Sequence, residues 1–261
     1  MHKPIARVLW PLAVVVSLGG CGPDESKTFV TTPEGAADII ATNQVAKAVL
    51  FAASDPFEPG SDNPAPRVAD AVSRYYQPRA CVSLLTGLNT ITYNFSACSG
   101  PLGIVRVKGR VVVTYAPAGD ATAITVASSS LFANDATVNL NVKATYDHQD
   151  PLVRRLTIAD NSTGRGGYNN TVSQVGNGIM TWRAGEVCAS YDANGTMQIG
   201  NRRMDQVFDN NQFCPNVCPV GRLLLTNVQN STFEVRMDGS NTALWHDNAG
   251  TAGTVAIVCG P

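Results

Sequence analysis

From about Ala80 onward apolar and polar residues alternate, and this period of two dominates the chain. Ile91, Tyr93 and Phe95 are interleaved with Thr90, Thr92, Asn94 and Ser96. Val105, Val107, Gly109, Val111, Val113 and Tyr115 alternate with Arg106, Lys108, Arg110 and Thr114. Val138, Leu140, Val142, Ala144 and Tyr146 alternate with Thr137, Asn139, Asn141, Lys143 and Thr145. Successive strand side chains point to opposite faces, so the pattern predicts antiparallel strands with one buried and one wet face. Ile124/Val126 and Leu156/Ile158 mark two more strands. Turn signals at Pro117 to Asp120, Asn134-Asp135 and Asp150-Pro151 separate them into a meander.

Beyond Asn161 to Asn170, which reads as a mobile loop and a possible boundary between β units, the predicted strands are shorter. They cover Ile179 to Arg183, Val187 to Tyr191, Thr196 to Asn201, Leu223 to Val228, Thr232 to Asp238 and Thr254 to Cys259. Asn177-Gly178, Asn194-Gly195 and Asp238-Gly239 are hairpin-turn signals. Two strands of membrane-spanning length raise the idea of a transmembrane barrel. That architecture needs about eight or more strands and aromatic girdles, and at 7% aromatic residues no girdle recurs.

Before residue 80 the period is helical. Thr31-Thr32-Pro33-Glu34 is a helix start, with a hydroxyl cap, proline in the first turn and an acid behind it. Ala36, Ile39, Ala46, Leu50 and Ala53 form one stripe flanked by Val49, with alanines on the other faces. The expected role is to cover one side of the β domain; an interaction helix near the membrane is the sharper alternative. Ser54 to Pro66 is a proline-rich linker, and Arg67 to Tyr76 has the spacing of a short helix.

The first residues add an address. Met1 to Arg7 carries Lys3 and Arg7 and no acid, and Val8 to Leu18 is almost wholly apolar. Such a run describes a secretory signal and is too short for a membrane span of about 20 residues. It ends in Leu18-Gly19-Gly20-Cys21, which resembles the lipobox of bacterial lipoproteins. The resemblance implies cleavage before Cys21, lipid on its thiol, and anchorage of the mature chain to a membrane. Gly22, where an aspartate would direct retention, implies the outer membrane. The segment Ile91-Thr92-Tyr93, Cys98, Gly103, Arg106, Lys108-Gly109, Val111 to Tyr115 and Asn134 to Val138 is similar to a pattern in uncharacterised β-rich lipoproteins of the bacterial envelope. It covers about a quarter of the chain and carries no activity.

Cysteine arithmetic supports the address independently. The chain has 7 cysteines, and an odd number in an exported protein asks for an explanation. Assigning Cys21 to lipid leaves Cys81, Cys98, Cys188, Cys214, Cys218 and Cys259 for disulfides in an oxidising compartment. Cys81 and Cys98 flank one predicted hairpin and pair. For the rest, Cys188–Cys214 and Cys218–Cys259 are favoured. The whole chain has a formal charge of −1, and removal of the basic leader makes the remainder more acidic. That argues against nucleic acid and against electrostatic docking on anionic lipid.

Chemistry is sparse. After the leader the histidines are His148, in Asp147-His148-Gln149-Asp150, and His246, in Trp245-His246-Asp247. A histidine beside Asp150 or Asp247 could serve as a general base. No spacing for a catalytic metal, a nucleophile elbow or a phosphate loop accompanies it. Asp192-Ala193-Asn194-Gly195 and Asp205 to Asn211 hold oxygens of interest to calcium, but turn geometry accounts for the first and no helix-loop pattern surrounds the second. Gly164 to Gly167 reads as flexible, and Cys214-x-x-x-Cys218 as disulfide-forming. Tyr75, Tyr76, Tyr168, Trp182 and Trp245 could form a sugar-stacking or protein-binding surface, with core packing favoured for Trp182.

The expectation is therefore a mainly β fold: a disulfide-braced antiparallel β-sandwich or meander preceded by an N-terminal helix and a Pro-rich linker. Signal 1–20, tether 21–33, helix 34–53, linker and short helix 54–78, and β units 79–160 and 161–261 follow in order, with one continuous β domain as the alternative to two units. The expected role is non-enzymatic binding or structure in the envelope, without cofactor or metal, for a protein or polysaccharide partner. The competing expectation is an envelope hydrolase or carbohydrate-active enzyme working at His148 or His246.

Overall fold

A computed structural model of the protein describes residues 32–57, 64–147, 149–150 and 152–259. The signal, Cys21 and the tether as far as residue 31 lie outside the described residues, and the last two tether positions, Thr32 and Pro33, belong to the cap and first turn of a helix. The first helix, α1 (Pro33–Ser54), starts as the sequence predicts: Thr32 Oγ1 accepts a hydrogen bond from the Gly35 N–H at 3.1 Å, with Pro33 in the first turn. A second helix, α2 (Pro64–Val72), begins within the predicted linker and ends before Tyr76.

The rest is mainly antiparallel β, as expected. The first strands are β1 (Val82–Thr86), β2 (Thr90–Cys98), β3 (Val107–Ala118), β4 (Ala121–Ser128) and β5 (Leu131–Ala133). Next come β6 (Ala136–Asn139), β7 (Asn141–Asp147), β8 (Val153–Asp160) and β9 (Thr163–Arg165). Then follow β10 (Thr171–Arg183), β11 (Ala189–Ile199), β12 (Arg202–Phe213), β13 (Val220–Thr226), β14 (Thr232–Asp238), β15 (Thr242–Asp247) and β16 (Ala252–Ala256). All 16 belong to one sheet. β10 to β16 form a plain meander, and β10 also pairs with β8, so strands of residues 79–160 and 161–261 are continuous. The path from β3 through β4, β7, β8, β10, β9, β6 and β5 returns to β3 and closes on itself.

Alternation places the apolar side chains inward, as on Ile91, Tyr93, Val111, Val113, Tyr115, Val126, Val142 and Tyr146. Their charged and polar neighbours face out. The predicted strand from Val138 to Tyr146 is interrupted at Leu140. On one side β6 pairs with β5 and β9; on the other β7 pairs with β4 and β8.

α1 does not cover one side of this sheet, nor does it offer a surface near a membrane. Every residue from Gly35 to Ser54 is buried. A helix that is apolar all round is stable only when surrounded, and its alanines let strands approach from several directions. Its C-terminal end is held by Tyr115 of β3, whose hydroxyl donates to the Ala53 carbonyl at 2.8 Å. Phe57, just beyond, packs on Tyr115 and Tyr146. Burying side chains such as Ile39, Leu50 and Phe51 contributes roughly 1.5–3 kcal/mol each.

Two turn signals fall elsewhere than predicted. Asn177-Gly178 lies inside β10 and Asn194-Gly195 inside β11, side by side in register; Asp238-Gly239 does end β14. A Cβ on Gly195 would meet the Val175 carbonyl and lie 2.5 Å from the Gly176 Cα. The glycines therefore serve close strand approach instead of a reversal of the chain.

Candidate functional site

The six described cysteines form the three favoured pairs. Cα separations are 5.4 Å for Cys81–Cys98, 4.2 Å for Cys188–Cys214 and 5.3 Å for Cys218–Cys259. The first closes the β1–β2 hairpin. The second joins the start of β11 to the end of β12, where Ala189 and Phe213 are partners. The third fastens the chain after β16 to the segment before β13. Cys214 and Cys218 thus face different partners, and each bridge restricts the unfolded chain by about 3 kcal/mol or somewhat more in the chain-entropy model.

His148 lies outside the described residues. Asp150 is exposed and its Oδ1 accepts the Leu152 N–H at 2.8 Å, which fixes a turn. Asp247 is likewise occupied: its Oδ1 accepts from the Ala249 and Thr251 N–H groups at 3.0 and 2.8 Å, locking the turn between β15 and β16. Asp247 and His246 are adjacent on one strand and so face opposite ways. The carboxylate that His246 meets is Glu234, its cross-strand partner on β14, at Nε2–Oε2 3.9 Å.

Glu234 is the centre of a charged ladder on the outer face of β12 to β15. Arg236 Nε donates to its Oε1, Arg222 Nη1 stands 3.8 Å from its Oε2, and Arg222 Nη2 reaches Asp209 at 2.6 Å. Glu234 is only 9% exposed, while Arg236 is 65% and His246 50% exposed. A shallow hollow of about 590 Å³ beside the ladder is lined by Asp209, Arg222, Arg236, Val220 and Leu244. The ladder's carboxylate is thus held by guanidinium groups and its histidine stands half in solvent. The β14 alternation puts Glu234 and Arg236 on the wet face from sequence; their juxtaposition with β13 and β15 needs the register.

A second cluster, missed in the sequence, lies inside. Lys47 of α1 is fully buried, with Nζ 3.1 Å from Asp160 Oδ2 and 4.5 Å from the centre of the Tyr191 ring. Gln174 Nε2 donates to the same Asp160 oxygen at 2.5 Å and its Oε1 accepts from Asn43 Nδ2 at 2.5 Å. Burial alone would lower the Lys47 pKa, but Tyr191 and Asp160 outweigh it and the net shift is upward. Nearer the start of α1, the Asp38 carboxylate accepts from the Tyr168 and Asn170 N–H groups at 2.9 and 3.0 Å. The segment whose composition reads as a mobile loop is therefore clasped to α1. Gly166 is required there, because a Cβ would overlap the Asp38 carboxylate. The signal in the sequence was the set Asp38, Asn43, Gln44 and Lys47 within an otherwise apolar helix.

Among the described residues no group of three or more His, Cys, Asp or Glu side chains could hold a metal ion. Asp192 Oδ1 instead accepts the Asn210 N–H at 2.7 Å, where β12 bulges. The aromatics do not converge on one surface. Tyr76 and Trp182 are buried, and Trp182 Nε1 donates to Asp55 Oδ1 at 2.6 Å, with the Tyr75 hydroxyl on the other oxygen. Trp245 stacks on Phe233 at 5.3 Å. Tyr168 reaches the Ala256 carbonyl at 3.1 Å. No family model, curated protein or solved structure matches the chain.

Proposed function

We propose that the protein is a lipid-anchored component of the bacterial cell envelope that binds and does not catalyse. The observation that carries this reading is the cysteine pairing. Cys81, Cys98, Cys188, Cys214, Cys218 and Cys259 pair with one another, so that of the seven cysteines only Cys21, at the end of Leu18-Gly19-Gly20-Cys21, has no part in these bridges. Three disulfides suit an oxidising compartment, and acyl chains on Cys21 would hold the β body at a membrane; two chains make such anchorage stable. No described helix is long and apolar enough to cross a membrane.

The binding role is supported by the character of the titratable groups. His246 faces one carboxylate on an open strand face, and Asp150 and Asp247 are bound to turn amides. Intact-mass analysis of protein extracted from membranes is expected to find a chain beginning at a diacylglyceryl Cys21. Cys21→Ser is expected to move the protein to the soluble fraction. An unmodified residue 21, or a serine variant that still sediments with membranes, removes the reading.

A further inference from the structure

We propose that the outer face across β7, β8, β10 and β11 is a binding groove for a neutral, hydroxyl-rich polysaccharide chain. The inference deepens the envelope-binding reading above by naming a site and a ligand class. The groove measures about 470 Å³ and is lined by Asn141, Lys143, Asn161, Val175, Asn177, Asn194 and Thr196. This lies within the range of about 300–1,000 Å³ usual for ligand sites.

Three observations carry the assignment. The first is placement. Asparagine and glycine are depleted from strands, yet Asn177 and Asn194 sit deep inside β10 and β11 as direct cross-strand partners. The adjacent glycines are explained by close strand approach, but nothing in the packing calls for the asparagines. The second is register. Lys143, Ala159, Asn177 and Asn194 form one outward row, and Asn141, Asn161, Val175 and Thr196 lie on the next. Four amides thus converge from four different parts of the chain. The third is availability. The four side-chain amides and the Lys143 ammonium are exposed, and no hydrogen bond or ion pair with another described residue occupies them. Beneath them the buried Asp160 keeps its Oδ1 without a protein partner.

The ligand class follows from the chemistry. An amide both donates and accepts, so neighbouring amides match paired hydroxyls. Val175, 58% exposed, and Ala159 offer apolar patches for the C–H faces of a sugar ring. Lys143 is the one charged side chain on the outer rows, because Asp160 is turned inward to Lys47. A strongly anionic polymer would find little to neutralise it.

The test uses the mature full-length protein in a sugar-free detergent, with maltohexaose, cellohexaose, chitohexaose and mannohexaose titrated separately. At least one sugar is expected to shift the side-chain amide NMR signals of Asn177 and Asn194 saturably. The double variant Asn177→Ala/Asn194→Ala, at exposed positions and with an unchanged circular dichroism spectrum, is expected to bind that sugar about tenfold or more weakly. Lys108→Ala, exposed on β3 and outside the groove, is expected to bind it as the parent does. The proposal is overturned if none of the four sugars moves these amides, if the double variant binds as well as the parent, or if inorganic phosphate displaces the sugar through Lys143. Lipidation is read from the mass of residue 21, so either reading can fail while the other stands.

Discussion

The two halves of the sheet face the same helix with different chemistry. Strands β2 to β7 present almost purely apolar inward positions, from Ile91, Tyr93 and Val113 to Val142 and Tyr146. Strands β10 to β12 place Gln174, Gly176, Gly195, Gln206 and Asn211 among theirs. Part of this difference faces α1. Its Asn43 and Lys47 reach Gln174, Asp160 and Tyr191, while its Ala53 carbonyl meets Tyr115 in the apolar half. A buried helix with polar residues requires polar partners on the strands it meets, because an unpaired polar group in the interior costs several kcal/mol. One half of the core is held mainly by burial, the other by a hydrogen-bonded network that also fixes how the helix sits.

The largest expected effect comes from breaking that network. Lys47→Met leaves the Asp160 carboxylate buried without its cation and is expected to cost about 3–5 kcal/mol in urea unfolding. Adding Asp160→Leu is expected to recover most of the loss. If the double variant is no more stable than the single, the Lys47–Asp160 pair does not account for the cost. A smaller effect is expected at the glycine crease: Gly195→Ala forces a methyl group against the β10 backbone and should cost roughly 1–3 kcal/mol. An unchanged unfolding midpoint would show that the strands part freely there.

The third expectation is negligible at neutral pH and grows only in alkali. Burial raises the hydroxyl pKa of Tyr76, Tyr93, Tyr115 and Tyr191 above the ordinary 10.0. The unfolded chain therefore gives up these protons first. Stability from them is complete below the unfolded value and is lost as pH rises through and beyond it. The urea midpoint is expected to be flat up to about pH 9 and to fall above about pH 10. Tyr93→Phe should blunt the fall. A midpoint that drops as early in alkali for a chain lacking these tyrosines would remove burial as its cause.

The same contrast decides what could be read in advance. The apolar half was legible because alternation reports burial directly: Val111, Val113 and Tyr115 could face only a core. In the polar half β12 escaped notice because Gln206 and Asn211, both buried, interrupt the pattern of Met204, Phe208 and Phe213. The Asn-Gly pairs read as turns because local preference favours a reversal; close approach of β10 and β11 overrides it. His246 was visible as a candidate, but Asp247, its neighbour in sequence, stands on the other face, and Glu234 is its neighbour in space.

The sequence by itself determined the mainly antiparallel β class, the cap and start of α1, and the Cys81–Cys98 pair across one hairpin. These follow from local periodicity and chain proximity, which need no partner to be specified. Only the tertiary structure decided that α1 is enclosed on every side, that Lys47 meets Asp160, and that Asn141, Asn161, Asn177 and Asn194 line one groove. Those arrangements join residues far apart in the chain, 113 positions for Lys47 and Asp160. They depend on strand register and on the roll of the sheet, which the packing of the whole core selects and no local stretch encodes.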